Sequence, residues 1–82
     1  MQLNNVGDIL KFVQYLNDIA DRPWYRLSHD RYDGILVEIH MAGLRLEVEF
    51  LDDRVEYSLF EGDESVHDDQ AQLFALLEKN RS

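Results

Sequence analysis

Cysteine is absent from this chain of 82 residues, proline occurs once and glycine four times. Without cysteine, neither disulfides nor thiolate metal sites can stabilise a small core, so hydrophobic packing has to do this alone. The scarcity of proline and glycine, together with 45% apolar residues, argues against a disordered chain. At this length the sequence predicts one α+β domain, residues 1–82, with a core of modest size.

Long hydrophobic runs are absent as well. No apolar stretch approaches the roughly 20 residues that a membrane-spanning helix needs. The N-terminal sequence MQLNNVGDIL also lacks the basic leader and the apolar stretch of a signal peptide. We therefore expect a soluble protein in the cytoplasm.

Positive charge is scarce, because 8 Lys and Arg stand against 17 Asp and Glu, which gives a net charge of -9. The imbalance is local: residues 38–69 hold eleven acids and two bases, whereas residues 1–37 hold five acids and four bases. An acidic segment of this kind repels nucleic acid and anionic membranes and attracts basic partners. We expect a basic protein partner, no nucleic acid and no membrane, and a chain that acts as a monomer or a homodimer.

Helical periodicity marks both ends of the chain. Near the N-terminus, Asn5 with Asp8 forms an N-cap signal and Pro23 is expected to stop the helix. A second capping signal, Ser65 with Asp68, predicts that a closing helix begins there, with acidic residues in its first turn. The apolar stripe predicted for the first helix consists of Val6, Ile9, Leu10, Val13, Leu16 and Ala20, widened by Phe12, Tyr15 and Ile19.

Alternation with a period of two predicts strands between the helices. The aromatic-rich segment WYRLSH, residues 24–29, predicts a strand at a sheet edge. Two longer runs alternate on either side of Ala42 and Gly43, and a tight turn there pairs Met41 with Leu44. That register places every apolar partner of the two strands on one face.

A second two-residue turn, Asp52 and Asp53, extends the same pattern to a further strand by pairing Phe50 with Val55. The apolar partners again fall on one face, which the helices are expected to cover. The predicted fold is therefore α+β: an N-terminal helix, a three- to four-stranded antiparallel meander and a C-terminal helix, in the order α-β-β-β-β-α.

The same register predicts that carboxylates collect on the opposite face of the sheet, where only the pair of His40 and Arg45 breaks the acidic pattern. Glutamates oppose glutamates there, which is destabilising, whereas opposite charges would contribute roughly 0.2–1 kcal/mol per pair. Forgoing this stability is typical of a binding surface. An alternative stays open, because solvated glutamates also aid solubility and discourage edge pairing. The predicted partner-binding residues are Glu38, Glu47, Glu49, Asp52, Asp53, Glu56, Phe60 and Trp24.

The histidines, His29, His40 and His67, are the natural candidates for acid–base chemistry, and none lies in a recognisable motif. Ser28, His29 and Asp30 have the residue types of a hydrolase triad, but adjacent strand residues point to opposite faces. The glutamates near His40 follow from sheet alternation and lack a diagnostic metal-ligand spacing. We expect no catalytic residue, no metal and no cofactor.

The segment VEIHMAGLRLEVEFLDDRVEYSLFEG, flanked by predicted helices in a short, acidic, cysteine-free chain, resembles bacterial toxin-immunity proteins. The resemblance lies in size, acidity and a helix–meander–helix layout over most of the chain, without a signature motif. It implies a non-catalytic inhibitor of a basic toxin, often a nuclease. The carboxylates of the inhibitor would cover the cationic surface of the toxin. A second hypothesis is an acidic chaperone or adaptor for another basic or amphipathic protein segment.

Overall fold

The computed structural model describes residues 1–19, 22–41, 44–60, 64–67 and 69–79. A short 3₁₀ turn, Val6–Asp8, leads directly into helix α1, Ile9–Asp18, and helix α2 spans Gln70–Lys79 near the other end. None of the helices in these ranges is long and apolar enough to cross a membrane. The strands between them are β1 (Trp24–Arg31), β2 (Gly34–Met41), β3 (Leu44–Leu51), β4 (Val55–Phe60) and β5 (Glu64–His67).

The strands form one antiparallel sheet in the order β1-β2-β3-β4-β5, with β1 at an edge as predicted. The predicted fold class, a helix at each end of an antiparallel meander, is confirmed. The described part of the sheet has one strand more than the three to four predicted. The segment ESVH is too short and too polar to show strand alternation by itself, and its pairing with β4 makes it a strand.

That fifth strand corrects the predicted start of the closing helix. Ser65, the predicted N-cap, lies in β5 opposite Leu59, and Asp68 lies outside the described residues. Helix α2 begins at Gln70 instead, and the Oδ1 of Asp69 accepts a hydrogen bond from the backbone N–H of Gln72 at 3.3 Å. Asp69 therefore caps the helix from the position before its first turn.

The register of the central meander is confirmed residue by residue. Met41 pairs with Leu44 across the β2–β3 turn, although the turn residues 42 and 43 lie outside the described part of the chain. The second turn is confirmed directly, because the N–H of Leu51 donates to the carbonyl of Arg54 at 2.8 Å around residues 52 and 53. Both registers put the apolar side chains on one face. The confirmed pairs on that face include Ile39 with Leu46, Val37 with Val48, Ile35 with Phe50, Val48 with Tyr57 and Leu46 with Leu59.

Helices α1 and α2 cover this apolar face and complete the core. The ring of Phe12 on α1 lies 5.4 Å from that of Phe50 on β3 and 6.4 Å from that of Phe74 on α2, so one aromatic residue joins both helices to the sheet. The N-terminal segment is fixed to α2, because Gln70 accepts a hydrogen bond from Leu3 N–H at 2.7 Å and donates one to the Leu3 carbonyl. Leu3 is consequently buried, which the sequence pattern did not indicate.

The buried face of α1 differs from the predicted stripe. Phe12 and Leu16 are fully buried, whereas Leu10 is 68% exposed and Val6 is also exposed. The helix ends at Asp18, well before Pro23, and the side chain of Asn5 caps the preceding 3₁₀ turn by accepting from the N–H of Gly7 at 2.9 Å. The helix is apolar around much of its circumference, and packing leaves the flank that contains Leu10 uncovered.

Candidate functional site

The sheet has an outer face, the side that the helices do not cover. Alternate residues of β1 to β4 carry it, and the antiparallel register places them in rows that cross the strands. The outer face consists of Trp24, Arg26, Ser28, Leu36, Glu38, His40, Arg45, Glu47, Glu49, Glu56, Ser58 and Phe60.

The predicted opposition of carboxylates is present on the outer face. Glu38 on β2 lies opposite Glu47 on β3, and Glu49 on β3 lies opposite Glu56 on β4. Such neighbours repel each other, and the repulsion lowers the stability of the folded protein. The carboxylates are therefore brought together by the fold and do not merely share a segment of sequence.

A base on the edge strand β1 compensates the negative charge of one of these carboxylates. The sequence alone did not indicate this ion pair. Arg26 on β1 pairs in register with Glu38, and its guanidinium lies 2.7 Å from Glu38 Oε1. His40 Nε2 lies 2.6 Å from the other oxygen of the same carboxylate. The hydrogen bonds from His40 and from Arg26 lower the pKa of Glu38. Arg26 is thus a base on the outer face in addition to the predicted pair of His40 and Arg45.

The other glutamates border a shallow depression of about 130 Å³ between β2, β3 and β4. Glu47, Glu49 and Glu56 line it together with the apolar side chain of Leu36 and with Arg31. Glu47 forms no ion pair with any described residue. Three carboxylates around an apolar side chain suit the head and the alkyl stem of a lysine or arginine from another molecule.

The aspartates of the β3–β4 turn lie at the rim of the same region. Both Asp52 and Asp53 are exposed, and Asp53 forms an ion pair of 2.9 Å with Arg54. Arg54 also contacts Glu56 at 3.2 Å, and this hydrogen bond, with the charges of both acids, raises the pKa of Arg54. Of the two aspartates, Asp52 is the one without a described ion pair.

The predicted apolar residues lie in another row of the outer face, beside the carboxylates. The ring of Trp24 meets that of His40 edge-on at 4.9 Å, and the guanidinium of Arg45 lies 4.4 Å from the centre of the Phe60 ring. His40 and Arg45 are themselves opposite each other. The row is therefore continuous across four strands, with aromatic rings at both ends and bases between them.

The described residues contain no group of three or more His, Asp or Glu side chains placed to hold a metal ion. His29 lies at the other end of β1 from Trp24, where its Nε2 is 3.3 Å from the carbonyl of Tyr32. The contact of Glu38 with His40 is a hydrogen bond within the outer face, beside the ion pair of Glu38 with Arg26.

Comparison with models of protein families, with curated proteins and with solved structures gives no significant match. Any assignment of function to this chain consequently rests on its own residues and their geometry.

Proposed function

We propose that this chain is a non-catalytic binding protein whose outer face receives a basic protein. The most concrete form of the proposal is an immunity protein, a cytoplasmic inhibitor that neutralises a basic toxin such as a nuclease. Carboxylates would pair with lysines and arginines of the toxin and prevent them from contacting its substrate.

The observation that carries the proposal is the depression lined by Glu47, Glu49 and Glu56. Like-charged side chains at neighbouring positions lower the stability of the free protein. A cationic partner would relieve this repulsion on binding. The relief would contribute to the free energy of binding. A surface that served only solubility would gain stability from mixed signs instead.

Two kinds of contact have separate roles in this proposal. The acidic surface would raise the rate of association with a basic partner, an effect that salt screens. Trp24 and Phe60, at the ends of the neighbouring row, would supply apolar contact and slow dissociation. The internally paired Glu38 would hold Arg26 and His40 in place and contribute less to the partner than Glu47.

One feature favours the alternative of a chaperone or adaptor for an amphipathic segment. An open groove of about 530 Å³ lies between the helices and the N-terminus, lined mostly by apolar side chains. Tyr15 on α1 and Phe74 on α2 form its aromatic part, with Ala71 and Ala75 giving room. A partner that binds there would not depend on the carboxylates of the outer face.

Capture of the partner tests the proposal and separates these alternatives. The tagged chain is incubated at low salt with lysate of the source organism and eluted with a salt gradient, and the eluate is identified by mass spectrometry. Glu47→Lys is compared with Asp18→Lys, which makes the same change of charge on the exposed end of α1.

We expect one abundant basic protein that is retained by the wild type and by Asp18→Lys and is lost from Glu47→Lys. If its gene lies beside that of this chain and its expression is toxic unless the chain is present, the immunity role is supported. Equal retention by all three proteins would refute binding at the outer face.

A further inference from the structure

The exposed apolar side chains of the described residues are concentrated at one edge of the molecule. Trp24 and Leu27, 57% and 44% exposed, project from opposite faces of β1, and the fully exposed Tyr32 lies in the turn that follows. Val6 borders a depression that Tyr32 also lines. Of the exposed large apolar residues in the described part of the chain, only Met1 lies elsewhere. It lines the groove between the helices.

Leu10 belongs to the same edge by helical geometry. Asn17 on α1 accepts a hydrogen bond from the hydroxyl of Tyr25 on β1 at 3.2 Å. Leu10 precedes Asn17 by seven residues, which is close to two helical turns, so both side chains lie on the flank of α1 that faces β1. We call Val6, Leu10, Trp24, Leu27 and Tyr32 the edge patch.

The backbone of β1 is open along the edge patch. In the described part of the chain β1 pairs with β2 alone, and its eight residues span about 26 Å. Natural edges are usually protected by proline, by lysine, by a bulge or by shortness. The other edge strand, β5, has four residues and is protected by shortness.

The protection of β1 is incomplete. It contains neither proline nor lysine, and its register irregularity lies between Ser28 and Arg31, which leaves residues 24–28 regular. Its arginines are exposed and form ion pairs within the chain: Arg26 pairs with Glu38, and Arg31 pairs with Asp33 at 3.8 Å. These ion pairs offset the arginine charges that would otherwise repel an approaching strand.

Charge selects the occupant of this edge. Residues 22–41, from Arg22 to the end of β2, contain three arginines and three acids, so this segment is neutral and the net charge of -9 lies in the rest of the chain. Two copies of the chain repel each other wherever their acidic surfaces approach. At this neutral segment they can meet without that repulsion, whereas a strongly basic or acidic partner gains no attraction there.

We propose that the edge patch binds a second copy of this chain, with the two β1 strands side by side and antiparallel across a two-fold axis. Each copy presents the same patch to the other, as a closed dimer requires. Backbone hydrogen bonds would join the sheets, and apolar contacts around Leu27 and Leu10 would hold them together. The two outer faces would then form one longer acidic surface.

Sedimentation equilibrium of the purified chain over a range of concentrations tests this proposal. The variants are Leu27→Lys on β1, Leu10→Lys on α1 and the control Gln2→Lys on the exposed N-terminal segment. Each lysine moves the net charge from -9 to -8 and so weakens general repulsion between copies. If the dimer of a variant dissociates more readily, the cause is therefore a lost contact at the interface and not increased repulsion between the copies. Circular dichroism confirms that each variant is folded, which the exposure of these positions favours.

For the wild type and Gln2→Lys we expect a mass that rises with concentration towards twice 9.7 kDa. Both leucine variants should raise the dissociation constant at least about tenfold, because a lysine at the centre of an interface loses its hydration. The wild-type dimer should survive high salt, unlike binding at the outer face. A wild-type mass of 9.7 kDa at every concentration, or an undiminished dimer in either leucine variant, overturns the proposal.

Discussion

The guanidinium of Arg26 on the edge strand β1 lies 2.7 Å from Oε1 of Glu38, its register partner on the neighbouring strand β2. This contact divides the predicted acidic face into two parts. Glu38 is held between Arg26 and His40 and is only 13% exposed, whereas Glu47, on the next strand, has no described ion pair. Substitutions at the two glutamates should therefore have opposite effects on stability.

Glu38→Gln is expected to lower the free energy of unfolding at pH 7. The bonds from His40 and Arg26 lower the pKa of Glu38 in the folded state, so its stabilising effect is present above the unfolded pKa of about 4.3. That effect disappears as the pH falls through the folded pKa. The difference between wild type and Glu38→Gln in urea denaturation should shrink below about pH 5. Glu47→Gln is the control, and an equal loss of stability in both variants would contradict the assignment.

Glu47→Lys is expected to stabilise the protein by about 0.2–1 kcal/mol, because it replaces a repulsive pair with Glu38 by an attractive one. Urea denaturation at neutral pH measures the change. Added salt should diminish it. A loss of stability would show that the carboxylate of Glu47 has a structural role in the free protein.

Phe12→Ala is expected to lower the free energy of unfolding by about 3–5 kcal/mol, because the ring is fully buried between Phe50 and Phe74. Leu10→Ala, on the exposed flank of the same helix, should change it by no more than about 0.5 kcal/mol. Denaturation at low protein concentration gives both values. Comparable losses would mean that Leu10 belongs to the core.

Gly34→Ala is expected to destabilise the protein by about 1–3 kcal/mol through crowding. A Cβ atom at Gly34 would lie 2.8 Å from Leu51 Cδ2 and 3.2 Å from the carbonyl oxygen of Phe50. At Gly7 the nearest atom is the side-chain oxygen of Asn5 at 3.0 Å, at the end of a side chain that can move. Thermal denaturation should therefore show a larger decrease in Tm for Gly34→Ala than for Gly7→Ala.

The central meander could be predicted from sequence because two independent constraints agree there. The alternation on β2, β3 and β4 fixes which side chains share a face, and the short turns fix which residues pair. A slip of one residue would have placed Val48 and Glu49 on the wrong faces, so the pattern leaves a single register.

The register of β1 and the buried face of α1 could not be predicted, because they depend on tertiary packing and not on local sequence patterns. The irregularity between Ser28 and Arg31 hides the register of β1, and without that register Arg26 could not be paired with Glu38. The apolar residues of α1 extend around the helix, so periodicity did not show that Phe12 would be buried and Leu10 exposed. The cluster of glutamates on the outer face could be anticipated, but the pairing of Glu38 with Arg26 on β1 could not.

The affinity of the captured basic protein for three forms of this chain tests the central claim most directly. Isothermal titration at low and high salt compares the wild type, Glu47→Lys and Asp18→Lys, the last two matched in charge. The outer-face account predicts that Glu47→Lys weakens binding about tenfold or more at low salt and reduces its salt dependence, while Asp18→Lys stays close to the wild type. Equal affinities for the two variants would contradict it.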